Sequence, residues 1–132
     1  MSHLLDTHVL LWWLMQPERI PARAIAVIEQ SEQVSVSALS FWELSLKYSL
    51  GKLELHGLMP DELPDYTRQS GLAVLECESS IFARFHQLPK LGHKDPFDRL
   101  LIHTAIRHGM TLISRDNAFV DYRAHGLKLL QV

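Results

Sequence analysis

Short apolar stretches alternate with helix-patterned segments along almost the whole chain, and this alternation constrains the fold more than any other feature. His3–Leu5, Val34–Val36, Leu72–Leu75, Met110–Ser114 and Leu127–Val132 read as strands. A tight turn at Asp6-Thr7 leads into Val9–Met15, a buried helix that ends before Pro17. Pro21 suits the first turn of a helix over Ala22–Gln30, with Ile25 and Ile28 on one face. Ser37 is placed to cap a helix running to about Leu50 and ended by Gly51, with Leu39, Trp42, Leu46 and Leu50 along one side. Pro60-Asp61 opens a helix closed by Gly71, and Ser79 or Ser80 caps a short one through His86. After a loop over Leu88–Lys94, Asp95-Pro96 opens a helix that turns Leu100, Leu101, Thr104 and Ala105 inward and ends at Gly109. Asn117–Tyr122 reads as a helical turn. Strands alternating with helices predict an α/β protein, a three-layer α/β/α sandwich around a central, mainly parallel sheet. Ligands of such sheets bind beyond the carboxyl ends of the strands.

With 132 residues, 47% of them hydrophobic and 21% charged, the chain is sized for one domain spanning 1–132 and excludes a disordered tail. One cysteine, Cys77, excludes a disulfide framework and a Cys-rich zinc site. The longest apolar run, Val9–Met15, is far shorter than the roughly 20 residues that span a bilayer, so no membrane partner is expected. Met-Ser-His-Leu-Leu-Asp has no signal-peptide character, and the expectation is a cytoplasmic protein. The formal net charge is -2, so nucleic-acid binding requires a local basic patch.

Four acids fall where the strand–helix register places a carboxyl edge. Asp6 follows the first strand and Asp116 follows Met110–Ser114, while Glu43 lies about two turns into the helix capped by Ser37 and Asp98 lies in the first turn of the helix opened by Pro96, both helices beginning at that edge. Two unit charges 4 Å apart repel by about 4 kcal/mol at an effective dielectric near 20. Four gathered carboxylates therefore take up protons or a divalent cation. Oxygen donors without cysteine suit Mg²⁺ or Mn²⁺ better than zinc, and such ions hydrolyse phosphodiesters. Each acid also has a structural reading. Asp6 and Asp116 fit turn residues bonding local backbone. Glu43, three residues after Ser40, fits a capping box or a solvated face. Asp95 fits an N-cap before Pro96, and Asp98 fits an acid stabilised by the helix dipole.

Leu4-Leu5-Asp6-Thr7-His8-Val9-Leu10-Leu11-Trp12 resembles the opening of a PIN domain. Ser37-Ala38-Leu39-Ser40-Phe41-Trp42-Glu43-Leu44, His93-Lys94-Asp95-Pro96-Phe97-Asp98-Arg99-Leu100-Leu101-Ile102 and Leu112-Ile113-Ser114-Arg115-Asp116 continue the likeness over essentially the whole chain. Order, spacing and length resemble the VapC-like ribonuclease toxins of bacterial toxin–antitoxin pairs. The stretch around Asp98 is the most specific part. The resemblance implies a metal-dependent endoribonuclease whose acids fall on Asp6, Glu43, Asp98 and Asp116, all present. It also implies an RNA substrate, a homodimer and a small antitoxin whose tail covers the acidic pocket.

His93, Lys94, Arg99 and Arg115 flank the acids and are candidates for substrate-phosphate contacts, with Lys47 and Lys52 as further ones. The other reading is that Arg99 or Arg115 pairs with a neighbouring carboxylate, or that all are ordinary solvated charges. Thr7 and Ser114 are placed either to orient a carboxylate or to satisfy local backbone, the latter being the expected role. The eight histidines are dispersed and read as surface or core fillers. Trp12, Trp13 and Trp42 are expected mostly in the core, with one of the adjacent pair leaning outward. A receiver-type phosphoacceptor domain is disfavoured, since Asp6 has no acidic neighbour and no strand-Lys-Pro pattern occurs. A catalytically silent PIN-fold module that binds RNA or a partner, and a DNA nuclease using the same acids, remain as alternatives.

Overall fold

In the computed structural model, which describes residues 2–132, five strands form one sheet in the order β3-β2-β1-β4-β5. The strands are β1 (Ser2–Leu5), β2 (Gln33–Ser37), β3 (Ala73–Leu75), β4 (Thr111–Ser114) and β5 (Lys128–Gln131), and every neighbouring pair is parallel. The six α-helices are α1 (Thr7–Met15), α2 (Ala22–Gln30), α3 (Ala38–Ser49), α4 (Leu63–Gln69), α5 (Ser79–Ala83) and α6 (Pro96–His108). A further 3-10 segment covers Asn117–His125.

The period-two pleat splits the core between the two faces of the sheet. Leu5 and Ile113 pack with Val9, Leu10, Ala24, Ile28 and Leu44 on one face. Leu4 and Leu112 pack with Leu101, Ile102, Ala105, Phe119 and Tyr122 on the other. Burial on both faces explains why the strands read as continuous apolar runs, and it gives the three expected layers.

Helix starts follow local chemistry. Ser37 accepts a hydrogen bond from the Leu39 amide and caps α3. Asp95 accepts from the Phe97 and Asp98 amides ahead of Pro96, so it is the N-cap of α6. At the other end of α6, Gly109 adopts φ 66, a left-handed closure that L side chains resist.

Several expectations need correction. Pro21 precedes α2 as its N-cap rather than lying in its first turn. The cap of α5 is Glu78, not Ser79 or Ser80, and α5 stops at Ala83 before a 3-10 turn over Phe85–Gln87. Helix α3 buries Leu39, Ser40, Glu43 and Leu44, whereas Trp42 is 63% exposed and Leu50 59%. The stripe through Trp42, Leu46 and Leu50 faces outward because α3 turns its polar Ser40–Glu43 side toward α1. Trp12 and Trp13 are both half-buried, and the outward tryptophan is Trp42, resting edge-on against Phe97 at 5.1 Å.

Candidate active site

Strand β1 occupies the middle of the sheet; β2 and β3 extend from one side of it, β4 and β5 from the other. The chain changes direction between β1 and β4, which opens a crevice at their carboxyl ends. Asp6 follows β1, and its amide donates to the Ile113 carbonyl at 3.0 Å, continuing the β1–β4 ladder. Asp116 lies two residues beyond β4. Asp98 enters from the first turn of α6. These three carboxylates line one hollow of about 350 Å³ with His8, Arg115, Asn117 and Phe119.

Asp6 is 4% exposed. One carboxylate oxygen accepts from the Val9 amide at 2.8 Å, capping α1, and the other accepts from the Ser114 hydroxyl. Burial pushes its pKa up from 3.8 to about 6, and the nearby Asp98 charge adds to the rise. The bonds from Ser114 and Val9 and the charge of Arg115 oppose it without cancelling it. The Ser114 oxygen in turn accepts from the Asp116 amide at 3.0 Å, so one hydroxyl ties both strand-end acids together.

Asp98 is also held above the usual carboxylate range, first by burial and then by Asp95 and Glu43. His93 counteracts this, its Nε2 lying 2.9 Å from Asp98 Oδ2. Asp116 uses one oxygen to cap the 3-10 segment, accepting from the Ala118 amide at 2.9 Å. Among the described residues, one group of acids and imidazoles has metal-ligand proximity: donor atoms of His93, Asp98 and Asp116 lie within 4.8 Å of one another.

Glu43 is 3% exposed and does not line this hollow, although its charge acts on Asp98 and His8, which do. It accepts from Thr7 Oγ1 at 2.8 Å and from Lys47 Nζ at 2.8 Å, and Thr7 also bonds Ser40 at 2.9 Å. Since Ser37 caps α3, Ser40 and Glu43 do not form a capping box; both sit in the helix body facing α1. Thr7 orients a carboxylate, contrary to the expectation that it serves local backbone, while Ser114 does both, donating to Asp6 and accepting from the Asp116 amide. Lys47, a candidate for phosphate contact, instead pairs with Glu43. Asp6 and Asp116 combine both readings, each capping a following segment while facing the hollow.

Among the other cations, Arg115 lines the hollow and stacks over Trp12 at 5.5 Å, and Lys94 is exposed. Arg99 departs from expectation. Its guanidinium donates to the Leu88 carbonyl at 3.4 Å and covers Phe85 at 4.7 Å, so it braces the loop before α6 instead of facing phosphate. Two histidines matter more than dispersed fillers would. His8 lines the hollow, and His93 approaches Asp98 from the preceding loop. The five-residue separation of His93 and Asp98 was the available sequence signal, but a loop followed by a helix turn fixes no distance between them. His103 is a core residue bonded to the Ile81 carbonyl at 2.9 Å.

A parallel α/β sheet with buried acids at its switch point defines a protein class whose chemistry sits on strand ends. The family is specific: the PIN domain model matches residues 3–124, and the chain belongs to the PIN domain family. It is 31% identical over 125 residues to Ribonuclease VapC22 of Mycobacterium tuberculosis, covering 91% of each chain. Its fold is similar to VapBC2 from Rickettsia felis, solved bound to a promoter DNA fragment, at TM-score 0.69 and 16% identity over 99% of this chain and 98% of that one. It is similar also to FitAcB from Neisseria gonorrhoeae, at TM-score 0.66 and 23% identity over 98% and 96%.

Proposed function

We propose that this chain is a divalent-metal-dependent endoribonuclease, the toxin of a toxin–antitoxin pair, with Asp6, Asp98, Asp116 and Glu43 as its metal-holding and catalytic acids. The carrying observation is Asp6. A carboxyl group is kept buried next to a second acid, at a cost in ionisation, and is aimed by two hydrogen bonds into a polar hollow. A cation there removes that cost. The donor set, with carboxylate oxygens, one imidazole and no thiol, fits Mg²⁺ or Mn²⁺. When bound, such an ion supplies Lewis-acid polarisation of the phosphate and acidification of the attacking water.

The chain's own residues supply the rest. Ser114 fixes the rotamer of Asp6, and Thr7 fixes that of Glu43. Lys47 pairs with Glu43, whereas among the described residues no Lys or Arg forms an ion pair with Asp6, Asp98 or Asp116. Arg115, which lines the hollow, and exposed Lys94, four residues before Asp98, offer positive charge to RNA phosphates despite the net charge of -2. The activity named for VapC22 of M. tuberculosis favours RNA over DNA, and the VapBC likeness favours an antitoxin partner. Exposed Trp42, Leu46 and Leu50 provide apolar surface for protein contact, in keeping with an antitoxin and a homodimer.

The test is cleavage of RNA and DNA with Mg²⁺, Mn²⁺ or chelator, beside Asp98→Asn. Metal-dependent cutting of RNA alone, lost in the variant, is expected. Cutting of DNA alone identifies a DNA nuclease, and RNA binding without cleavage identifies a silent module; either result overturns the proposal.

A further inference from the structure

We infer that His93 is a nitrogen ligand of the ion held by Asp98 and Asp116, and that this nitrogen gives the site a preference for Mn²⁺ over Mg²⁺. The inference rests on the metal-dependent reading above and narrows the ion. His93 Nε2 lies 2.9 Å from Asp98 Oδ2, and one donor atom from each of His93, Asp98 and Asp116 lies within 4.8 Å of the other two. Two ligands about 2.1 Å from an octahedral ion and at right angles to each other lie about 3.0 Å apart. The His93–Asp98 spacing matches such an edge, and the span of the trio leaves room for one ion among them.

The ring is held rather than free. It meets the buried Phe119 edge-on, with centroids 5.4 Å apart and planes at 88°. The imidazole is only 16% exposed, Asp98 23%. Gly92, at φ 92, turns the chain immediately before it in a conformation that L side chains resist. Phe119 also lines the hollow, so one aromatic side chain borders the acids and buttresses the histidine. Among the described residues, Nε2 has Asp98 as its one partner and Nδ1 has none, which leaves Nδ1 to carry the proton of the neutral ring when Nε2 binds an ion.

Mg²⁺ prefers oxygen ligands and retains its waters, whereas Mn²⁺, though it too favours carboxylate and water, is a first-row transition ion of the series that binds nitrogen donors. Two carboxylates and one imidazole make a mixed set that Mn²⁺ accepts with less loss than Mg²⁺. A His93 that merely hydrogen-bonds Asp98 would orient a ligand for both ions alike, and removing it would weaken both by a similar factor.

The experiment loads the full chain with Mn²⁺ and reads electron spin-echo modulation from nitrogen at the ion. An imidazole ¹⁴N coupling is expected, changing to the ¹⁵N pattern in protein labelled with ¹⁵N-histidine. That measurement needs no substitution. The coupling should vanish in His93→Gln and persist in His8→Ala, which separates the two histidines of the site. By calorimetry, the Mn²⁺/Mg²⁺ affinity ratio should fall about tenfold or more in His93→Gln. Mn²⁺ binding without nitrogen coupling, or equal loss of affinity for both ions, overturns the inference while leaving metal-dependent cleavage intact. Failure of the wild-type chain to bind either ion overturns the functional reading as well.

Discussion

Replacing Asp6 by Asn should stabilise the metal-free protein at neutral pH while abolishing cleavage. Burial raises the Asp6 pKa from 3.8 to about 6. At about 1.4 kcal/mol per pKa unit, ionised Asp6 costs the folded chain about 3 kcal/mol. The sign follows from proton linkage. Between these two pKa values the folded chain binds the proton that the unfolded chain releases, so this group's stabilising share is full below about pH 4 and lost as pH rises through about 6. Asn is close in shape, retains an oxygen for the Val9 amide and carries no charge. Its amide can donate to Ser114 Oγ, reversing that bond. In chelator, urea melts of the variant and the parent should coincide near pH 4 and differ by about 3 kcal/mol near pH 7.5. The corresponding Tm gain is on the order of 10 °C. Saturating Mn²⁺ should narrow or reverse the gap, because the parent alone gains full binding energy. A variant less stable at neutral pH, or a gap of equal size at both pH values, refutes the reasoning.

Ser114→Ala removes a fully buried hydroxyl that donates to Asp6 and accepts from the Asp116 amide, and should cost about 1–3 kcal/mol in chemical melts, with weaker divalent-ion binding by calorimetry. Asp95→Ala should cost about 1 kcal/mol through loss of the α6 cap, while Asp95→Ser restores most of it; equal losses in both variants by thermal melting would contradict the capping role. Leu112→Ala, at a fully buried position of the central sheet, should cost about 2–5 kcal/mol in urea melts.

Periodicity alone places nearly every element. Val34–Val36 and Met110–Ser114 match β2 and β4 to within one residue at each end, and Asp95-Pro96 marks the start of α6 to the residue. These features are legible because caps, turns and apolar runs are short-range events that stand in order along the chain. Even the carboxyl-edge position of Asp6 and Asp116 follows, since a parallel strand that ends in an acid can present it only there. Local signals misjudge α3. Its apolar residues do not all share the buried side, and a stripe through Trp42 and Leu50 looks like core until the neighbouring elements are known. Apolar spacing cannot say which side of a helix a sheet will cover.

Side-chain partnerships lie further beyond the sequence. The Ser114 hydroxyl reaches an acid 108 positions away, and Thr7 reaches Glu43 across 36. Arg99, adjacent to Asp98, turns away to Leu88 and Phe85, while His93 turns toward Asp98. The sequence therefore determined a parallel α/β chain with Asp6 and Asp116 at strand ends and Glu43 and Asp98 on helices that follow strands. Tertiary structure decided which acids are buried, which hydroxyls aim them and which cations remain free. The physical reason is that desolvation and charge coupling act through space, over a few ångströms set by how α1, α3, α6 and the two central strands converge.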